Sequence, residues 1–523
     1  MRKIFFLVML LMIFSATAAA QGGKILYVPI DNRPCNLAQV QQVAQKLGYE
    51  LLVPPAEIIG GYEFRGDPDE MWIWLRQNAH KATAAVLSTD SLIYGSLVAS
   101  RIHTLEAGTI MNRARRFKTF HEDFPALAIY AIGTVMRTPS YNFKGEVPYY
   151  ETHGAKIFQY TALLDKQEMN RMTDGDRRKF KKLTAEIPKE YLDDWFARRA
   201  KNSDANELFI EYTRAGVFNY FLLGCDDSAE FSQTHRESRR LTDLSSDMGK
   251  SVVQVTSGAD ELGMLMVARA INDERNFSPF VAVRYNDGTG AKTFPSYCNE
   301  PIGVSVDAAI VAVGGLKIPA PERADLVLVV NTRKNGKTFE ASNAKKNKLK
   351  LRGDLKTVLE PVKNFVAQGY PVAVADIAFG NGADNALMNR LKRDDLQYKI
   401  RAYGGWNTAT NSSGFLIGAG VLTKFMDEHD VADLLTTRYL DEWAYQANVR
   451  QEIIAASYGI AGEGTPGNLG EKLPPLEKLL NERMTAFAAE NLILPHGWRL
   501  ADLKFTLPWH RTFECDPRFR IVK

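Results

Sequence analysis

The sequence has few cysteine and histidine residues, and neither type is clustered. Four cysteines occur in 523 residues, at wide spacing and without a C-x-x-C pair. The eight histidines form no H-E-x-x-H motif or other close ligand pair, and a G-x-S-x-G motif is missing as well. A zinc hydrolase or a serine nucleophile of the α/β-hydrolase kind is therefore not indicated. In an oxidising compartment up to two disulfides can form among Cys35, Cys225, Cys298 and Cys515. The sequence does not distinguish the three possible pairings.

A large excess of charge of either sign is also lacking. The formal net charge is +4, and 24% of the residues are charged. Two of the cations, Arg2 and Lys3, lie in a segment that we expect to be removed, so the mature chain is closer to balance. A nucleic-acid-binding protein needs a concentrated basic face, which this balance argues against. The hydrophobic content of 45% is that of an ordinary soluble globular protein, and the length predicts one large or two medium domains.

Beyond the first twenty residues, no apolar run is long enough to cross a bilayer. The first twenty residues begin with Arg2 and Lys3, continue with the apolar run 4–14 and end in three alanines at 18–20. This order is typical of a secretory signal peptide with an A-x-A cleavage site. We therefore expect a signal peptide at 1–20, cleaved after Ala20, and a mature protein without a membrane span in the periplasm or outside the cell.

Strand-like and helix-like segments alternate along the rest of the chain. Short apolar runs that end in polar loops predict parallel strands joined by helices, and hence an α/β fold. Because about ten strands are indicated, we favour two doubly wound lobes over a TIM-like barrel with an appended α/β domain. We place the lobes at 21–275 and 276–523, with a helical insertion at about 138–216 and a second lobe that ends in helices.

Paired acids follow one of the clearest predicted strands. The apolar run 217–223 ends at Gly224, and Asp226 and Asp227 come directly after it, ahead of a polar helical segment. Open α/β sheets and α/β barrels both bind ligands where strands end in this way. Two adjacent acids also suit a solvated turn or a helix cap. The same pattern of an acid just past a strand recurs, however, at Asp31, Asp90, Asp260, Glu261 and Asp376.

Three uses compete for such a set of carboxylates. Neighbouring acids with different pKa values can transfer protons in catalysis, and carboxylate oxygens can bind Ca²⁺ or Mg²⁺. The third use is recognition of sugar hydroxyls, in which carboxylates, amides and arginines make hydrogen bonds while an aromatic ring packs on the sugar. The sequence supplies side chains for this third use at Arg33, Asn36, Tyr94, Arg101, Asn331, Trp406, Asn407 and Asn411.

Six motifs in order resemble the bacterial family known as domain of unknown function 4127, over nearly the whole mature chain. They are P-I-D-N-R-P-C-N at 29–36, D-S-L-I-Y-G-S-L-V-A-S-R at 90–101, D-D-S-A-E at 226–230, G-A-D-E at 258–261, G-W-N-T-A-T-N at 405–411 and P-W-H-R-T-F-E at 508–514. Two residues depart from the family pattern, namely Ser96, where a glycine is expected, and Cys225. Neither departure falls on one of the acidic residues. The resemblance implies an exported bacterial protein that forms one full-length module. It implies no activity, so the function depends on the residues.

We therefore expect an exported hydrolase that acts on a carbohydrate or glycan-like substrate by carboxylate general acid/base catalysis. Asp226 and Asp227 are the catalytic candidates, with Asp260 and Glu261 as partner acids. The alternatives are a glycan-binding protein without turnover and, third, a metal-dependent hydrolase. No cofactor is indicated, although Ca²⁺ or Mg²⁺ would suit the acids. The predicted binding residues are Asp31, Arg33, Asn36, Asp90, Tyr94, Arg101, Asn331, Asp376, Trp406, Asn407 and Asn411.

Overall fold

The computed structural model describes residues 22–523, so the predicted signal peptide lies outside the described residues. The first lobe is built on a sheet of six parallel strands in the order β2-β1-β3-β4-β5-β6. These strands are short apolar runs, almost fully buried on both faces, as expected for a sheet covered by helices on each side. They are β1 (Lys24–Val28), β2 (Glu50–Leu52), β3 (Ala84–Ser88), β4 (Ala128–Val135), β5 (Tyr220–Cys225) and β6 (Val253–Ser257).

Helices connect these strands and cover both faces of the sheet. Within the region predicted as a helical insertion, three helices follow β4 before the chain returns to the sheet as β5. The helices of the lobe are α1 (Ala38–Lys46), α2 (Pro68–Asn78), α3 (Thr89–Tyr94), α4 (Leu97–Ile102), α5 (Ala107–Asp123), α6 (Tyr150–Glu168), α7 (Asp174–Glu186), α8 (Lys189–Arg214), α9 (Gln233–Leu244) and α10 (Leu262–Glu274).

The second lobe repeats the arrangement with five parallel strands in the order β13-β11-β9-β7-β8. Two further short strands, β10 (Phe339–Glu340) and β12 (Phe379–Gly380), pair beside it. The five are β7 (Phe280–Tyr285), β8 (Leu316–Ile318), β9 (Leu326–Asn331), β11 (Val372–Asp376) and β13 (Ala402–Gly404). The helices are α11 (Ile302–Ala312), α12 (Lys356–Ala367), α13 (Asn385–Arg393), α14 (Ala409–Leu422) and α15 (Glu428–Arg438).

The structure confirms the predicted α/β fold, and the two parallel sheets agree with two doubly wound lobes. Neither sheet closes into a barrel within residues 22–523. In each lobe the first strand lies beside both the second and the third, so the order of the strands reverses there. Ligands of open α/β sheets bind beyond the carboxyl ends of the strands near such a point.

The end of the chain differs from the predicted helical ending. Helix α15 continues as a π-helix (Tyr439–Val449) and as α16 (Arg450–Gly459), and α17 (Leu473–Asn491) follows. The chain then closes with an antiparallel hairpin of β14 (Arg499–Thr506) and β15 (Asp516–Val522). The hydrophobic pattern of the sequence did not indicate this hairpin. Strand β14 is only partly buried and its register shifts between Ala501 and Lys504, so its apolar residues do not alternate regularly.

The two lobes share one core rather than meeting at a loose joint. Helices α10 and α14 pack closely, and a Cβ atom on Gly418 would lie 3.0 Å from Cγ of Met264. Every residue of α14 is buried, which explains its lack of polar periodicity. None of the helices in the described part of the chain combines the length and apolar content that crossing a membrane requires.

Candidate functional site

A cavity of about 270 Å³ lies between the carboxyl-terminal edges of the two sheets. Loops that follow all six strands of the first lobe line it. The second lobe contributes the segments after β7, β12 and β13 and the loop of the terminal hairpin. Seven of the predicted site residues line this cleft, namely Arg33, Arg101, Asp226, Asp227, Asp260, Asn407 and Asn411.

Asp260 is the centre of one cluster in the cleft. The guanidinium of Arg33 donates to Asp260 Oδ1 at 2.5 Å and to Asp31 Oδ2 at 2.8 Å. Asn36 donates to Asp31 Oδ1 at 2.8 Å and reaches Asp260 Oδ1 at 3.5 Å. Asp31 and Asn36 are buried directly behind the cleft wall. Burial lowers the pKa of Arg33, but Asp260 and Asp31 outweigh it and raise the pKa, so this arginine stays charged.

The second lobe completes this cluster. Asn407, whose backbone has the left-handed φ of 66°, donates its amide to Asp260 Oδ2 at 2.6 Å. Asn411 donates to the same oxygen at 3.4 Å and accepts from the backbone N–H of Ala259 at 3.1 Å. Thr408 caps the helix that carries Asn411. Both oxygens of Asp260 are therefore occupied, and this carboxylate connects the two lobes.

The paired acids belong to a second cluster with two arginines. Val135 pairs with Cys225 where β4 and β5 end, so Arg137 leaves the sheet beside Asp226 and Asp227. Arg137 donates to Asp227 Oδ2 at 3.0 Å and to Glu146 Oε1 at 2.6 Å. Arg101 donates to that same Glu146 oxygen at 3.0 Å and to Asp226. Glu146 therefore bridges the arginines that hold the two acids.

The two adjacent acids sit in different environments. Asp226 is buried, and this burial raises its pKa, as does the charge of Asp227, while Arg101 opposes the shift. The Asp227 side chain is 35% exposed, and its backbone has a strained φ of 33°. Burial also acts to raise the pKa of Glu146, but Arg137 and Arg101 lower it overall, so this carboxylate is ionised. Such a pair combines a buried carboxyl whose pKa is raised with a carboxyl that is partly exposed to the cleft.

An aromatic wall closes the side of the cleft nearest the terminal hairpin. Trp509 stacks on Tyr62 with ring centroids 5.7 Å apart and donates its indole N–H to Asn32 at 2.5 Å. The guanidinium of Arg511 lies 4.5 Å from the Trp509 ring centroid. Trp509 and His510 both have left-handed φ values, 58° and 48°. Strained residues of this kind persist where the surrounding structure needs their side chains in one place.

Three predicted residues of the first lobe lie beneath the cleft rather than on it. Asp90 is buried and accepts from Thr134 at 2.9 Å, and burial raises its pKa to about 6. Tyr94 is only partly exposed, and its ring stacks on His103. Glu261 is buried against Gly258 and Gly414, where a Cβ on Gly414 would lie 2.5 Å from Cγ of Glu261. Burial raises the pKa of Glu261 to about 8.

Three predicted residues of the second lobe also lie away from the cleft. Asn331 donates to Asp376 at 2.8 Å, and both side chains are fully buried at the ends of β9 and β11. Tyr403 donates to Asp376 at 2.8 Å, and burial raises the pKa of that acid to about 7. Trp406 is buried behind Asn411, with its ring 6.0 Å from that of Phe513.

Several side chains of the cleft were not among the predicted site residues. Arg137 follows a predicted strand, which is the same signal that singled out the acids. The P-W-H-R-T-F-E motif at 508–514 contains Trp509, Arg511 and Phe513, but Glu146 lies in the insertion, where no sequence pattern marks it. The additional lining residues include Tyr62, Arg137, Tyr141, Phe143, Lys144, Glu146, Tyr297, Asn381, Trp509, Arg511 and Phe513.

The cysteines and the acids show neither a disulfide nor a metal centre in the part of the chain that the structure describes. All four cysteines are free and buried. Within residues 22–523, no group of three or more His, Cys, Asp and Glu side chains is arranged to hold a metal ion. The acids of the cleft are interleaved with arginines instead.

Fold and cleft together define a two-lobed α/β protein with a polar, aromatic-walled cleft between two doubly wound lobes. Residues 25–517 match the family model described as protein of unknown function (DUF4127), and the chain belongs to this family. The resemblance seen in the six motifs is thereby confirmed. A comparison with curated proteins finds no match.

Proposed function

We propose that the cleft binds a carbohydrate or glycan-like substrate and hydrolyses it by carboxylate general acid/base catalysis. The observation that carries this proposal is the contrast between two adjacent acids on one turn. Asp226 is buried with a raised pKa, whereas Asp227 is partly exposed to the cleft and paired with Arg137. Hydrolysis of a glycosidic bond needs one carboxyl that delivers a proton and one carboxylate that activates water or attacks.

The roles follow from these environments. Asp226 is the general acid, because burial favours its protonated form. Asp227 is the base or nucleophile, since its carboxylate reaches the cleft. Asp260 has both oxygens engaged in hydrogen bonds and Glu261 lies beneath the cleft, so these two predicted partner acids take no part in the proposed proton transfer.

The rest of the lining suits a sugar. The polar residues Asn381, Asn407 and Arg511 line the cleft beside aromatic rings from both lobes. Sugars combine hydroxyl groups with apolar C–H faces, so a site of mixed polar and aromatic character matches them. Pockets for small ligands usually combine apolar walls with a few placed polar groups.

The second candidate is a glycan-binding protein without turnover. It is favoured by the ion pairs that already engage Asp226 and Asp260, because a carboxylate held in this way serves binding as well as chemistry. The third candidate, a metal-dependent hydrolase, gains no support from the interleaved acids and arginines of the cleft.

Export is part of the proposal and depends on the first twenty residues. Sequencing the amino terminus of the mature protein tests it, with Gln21 expected as the first residue. An intact Met1 on a membrane-bound product would refute it.

The experiment that tests catalysis begins with a screen of glycans and glycosides for release of reducing sugar. On whichever substrate is cleaved, Asp226→Asn and Asp227→Asn should each lower turnover by on the order of 10²–10⁴ while the substrate still binds. Asp307→Asn is the matched control, because Asp307 is an exposed acid paired with Lys317. Turnover at the wild-type level in both cleft variants rules out the catalytic assignment, and binding without any wild-type turnover supports the second candidate.

A further inference from the structure

We propose that the mouth of the cleft carries a second sugar subsite formed by Tyr297 and Tyr141. The substrate is then an oligosaccharide or a glycan chain rather than the glycoside of a single sugar. This inference rests on the proposed function and makes its substrate class narrower.

Tyr297 is held rigidly and yet remains partly exposed. Its backbone carbonyl accepts from the N–H of Ser228 at 3.1 Å, on the turn that carries Asp226 and Asp227. Its hydroxyl donates to Glu340 at 3.3 Å. The backbone adopts a left-handed φ of 65°, which is costly for a bulky residue. The residue is nevertheless 37% exposed, so the strain is not compensated by full burial.

Tyr141 reaches the mouth from the other lobe. It is 52% exposed, and it belongs to the loop between β4 and α6 that also carries Glu146. This loop is anchored to the following helix, because Oδ1 of the Asn142 side chain accepts from the N–H of Ala155 at 2.9 Å and the backbone N–H of Phe143 donates to the carbonyl of Tyr150 at 3.2 Å. Tyr141 is therefore an exposed residue on an anchored loop.

The position of the two rings suits a sugar ligand. Both tyrosines line the cleft, and Tyr297 adjoins the candidate catalytic turn. An exposed, fixed aromatic ring beside a polar cavity provides a flat apolar surface with a polar tip, which suits the C–H face and hydroxyls of a sugar ring. A second sugar unit placed there is the neighbour of the unit whose bond faces Asp226 and Asp227.

The test uses ladders of cello-, chito- and malto-oligosaccharides with one to four units. Binding is measured by isothermal titration calorimetry, and turnover is measured on the same ladders. We expect tighter binding when the second unit is present, and a loss of about two- to tenfold for the longer sugars in Tyr297→Ala and Tyr141→Ala. Single-unit ligands should bind equally to these variants and to the wild type.

Two further variants separate this subsite from a general effect. Tyr297→Phe keeps the ring and loses only the bond to Glu340, so it should keep most of the dependence on chain length. Tyr458→Ala removes a tyrosine that is 74% exposed outside the cleft and should change nothing.

The outcomes distinguish the subsite from the function. Cleavage or binding that does not depend on length, or alanine variants that match the wild type on long sugars, would overturn the subsite and leave the proposed function standing. A wild-type protein that neither binds nor cleaves any of the three ladders, nor any glycan or glycoside of the screen, would overturn both.

Discussion

Arg33 donates a hydrogen bond to Asp260 at 2.5 Å, although 227 residues of chain separate the two. Both side chains are buried, and Asp31 accepts from the same guanidinium. Because Asn407 of the second lobe also donates to Asp260, this ion pair lies where the loops of both lobes meet. It holds the floor of the cleft in place.

Removing the cation of this cluster should destabilise the protein strongly. Arg33→Met leaves the carboxylates of Asp31 and Asp260 buried without their cation, which typically costs roughly 3–5 kcal/mol. Denaturant unfolding checks this loss of free energy of unfolding. The control is Arg520→Met, because Arg520 pairs with Asp502 on the exposed hairpin and such pairs contribute roughly 1 kcal/mol or less. Equal effects of the two substitutions would contradict the assignment.

Glu146 should set the pH range of catalysis. A general acid must carry its proton, so kcat/KM falls as pH rises through the pKa of Asp226. Glu146→Gln removes the negative charge that offsets Arg101 and Arg137. The uncompensated arginines then lower the pKa of Asp226, and the alkaline limb of the kcat/KM profile moves to lower pH.

The matched control for this prediction is Glu151→Gln. Glu151 is an exposed acid just beyond the same loop, paired with Lys144 at 3.1 Å. Its substitution should leave the alkaline limb in place. An unchanged alkaline limb of the kcat/KM profile in Glu146→Gln would show that Glu146 does not affect the pKa of Asp226.

Glu261 should make the protein less stable as pH rises. Burial raises the pKa of its carboxyl from about 4.5 to about 8, so the folded chain binds this proton more tightly than the unfolded chain does. The contribution of Glu261 to stability is therefore present below about pH 4.5 and is lost as pH rises toward 8. Glu261→Gln should show a smaller drop in free energy of unfolding between pH 5 and pH 8.5 than the wild type, by on the order of a few kcal/mol.

Denaturant unfolding at both pH values measures this difference, and comparing the drops cancels the contributions of other buried acids. The exposed Glu482 provides the control, because Glu482→Gln should leave the drop unchanged. A drop in Glu261→Gln as large as that of the wild type would mean that Glu261 is ionised at little cost.

All four cysteines should titrate as free thiols. They are buried, and burial raises the pKa of each thiol, to about 12 for Cys298, which suppresses the reactive thiolate. A thiol reagent should therefore react slowly with the folded protein and count four thiols in denaturant without added reductant. A count of two or none would reveal disulfides instead.

Much of the fold follows from local patterns. Strands such as β5 and β9 are buried on both faces, so their apolar runs are visible without any knowledge of their neighbours. Asp226 and Asp227, which directly follow β5, mark the carboxyl edge of the first sheet. The terminal hairpin was missed because β14 alternates weakly and is only partly buried.

The sequence by itself determined the α/β class, the parallel strands and the family, because each depends on short stretches whose pattern does not need a partner. The sequence also predicted seven of the residues that line the cleft. Only the tertiary structure decided which acids face the cleft. Asp226, Asp227 and Asp260 line it, whereas Asp376 and Glu261 follow strands in the same way but lie outside it. It alone brought Glu146 to Arg101 and Trp509 to Asn32, since contacts between distant segments depend on how helices and loops pack and leave no local signal in the chain.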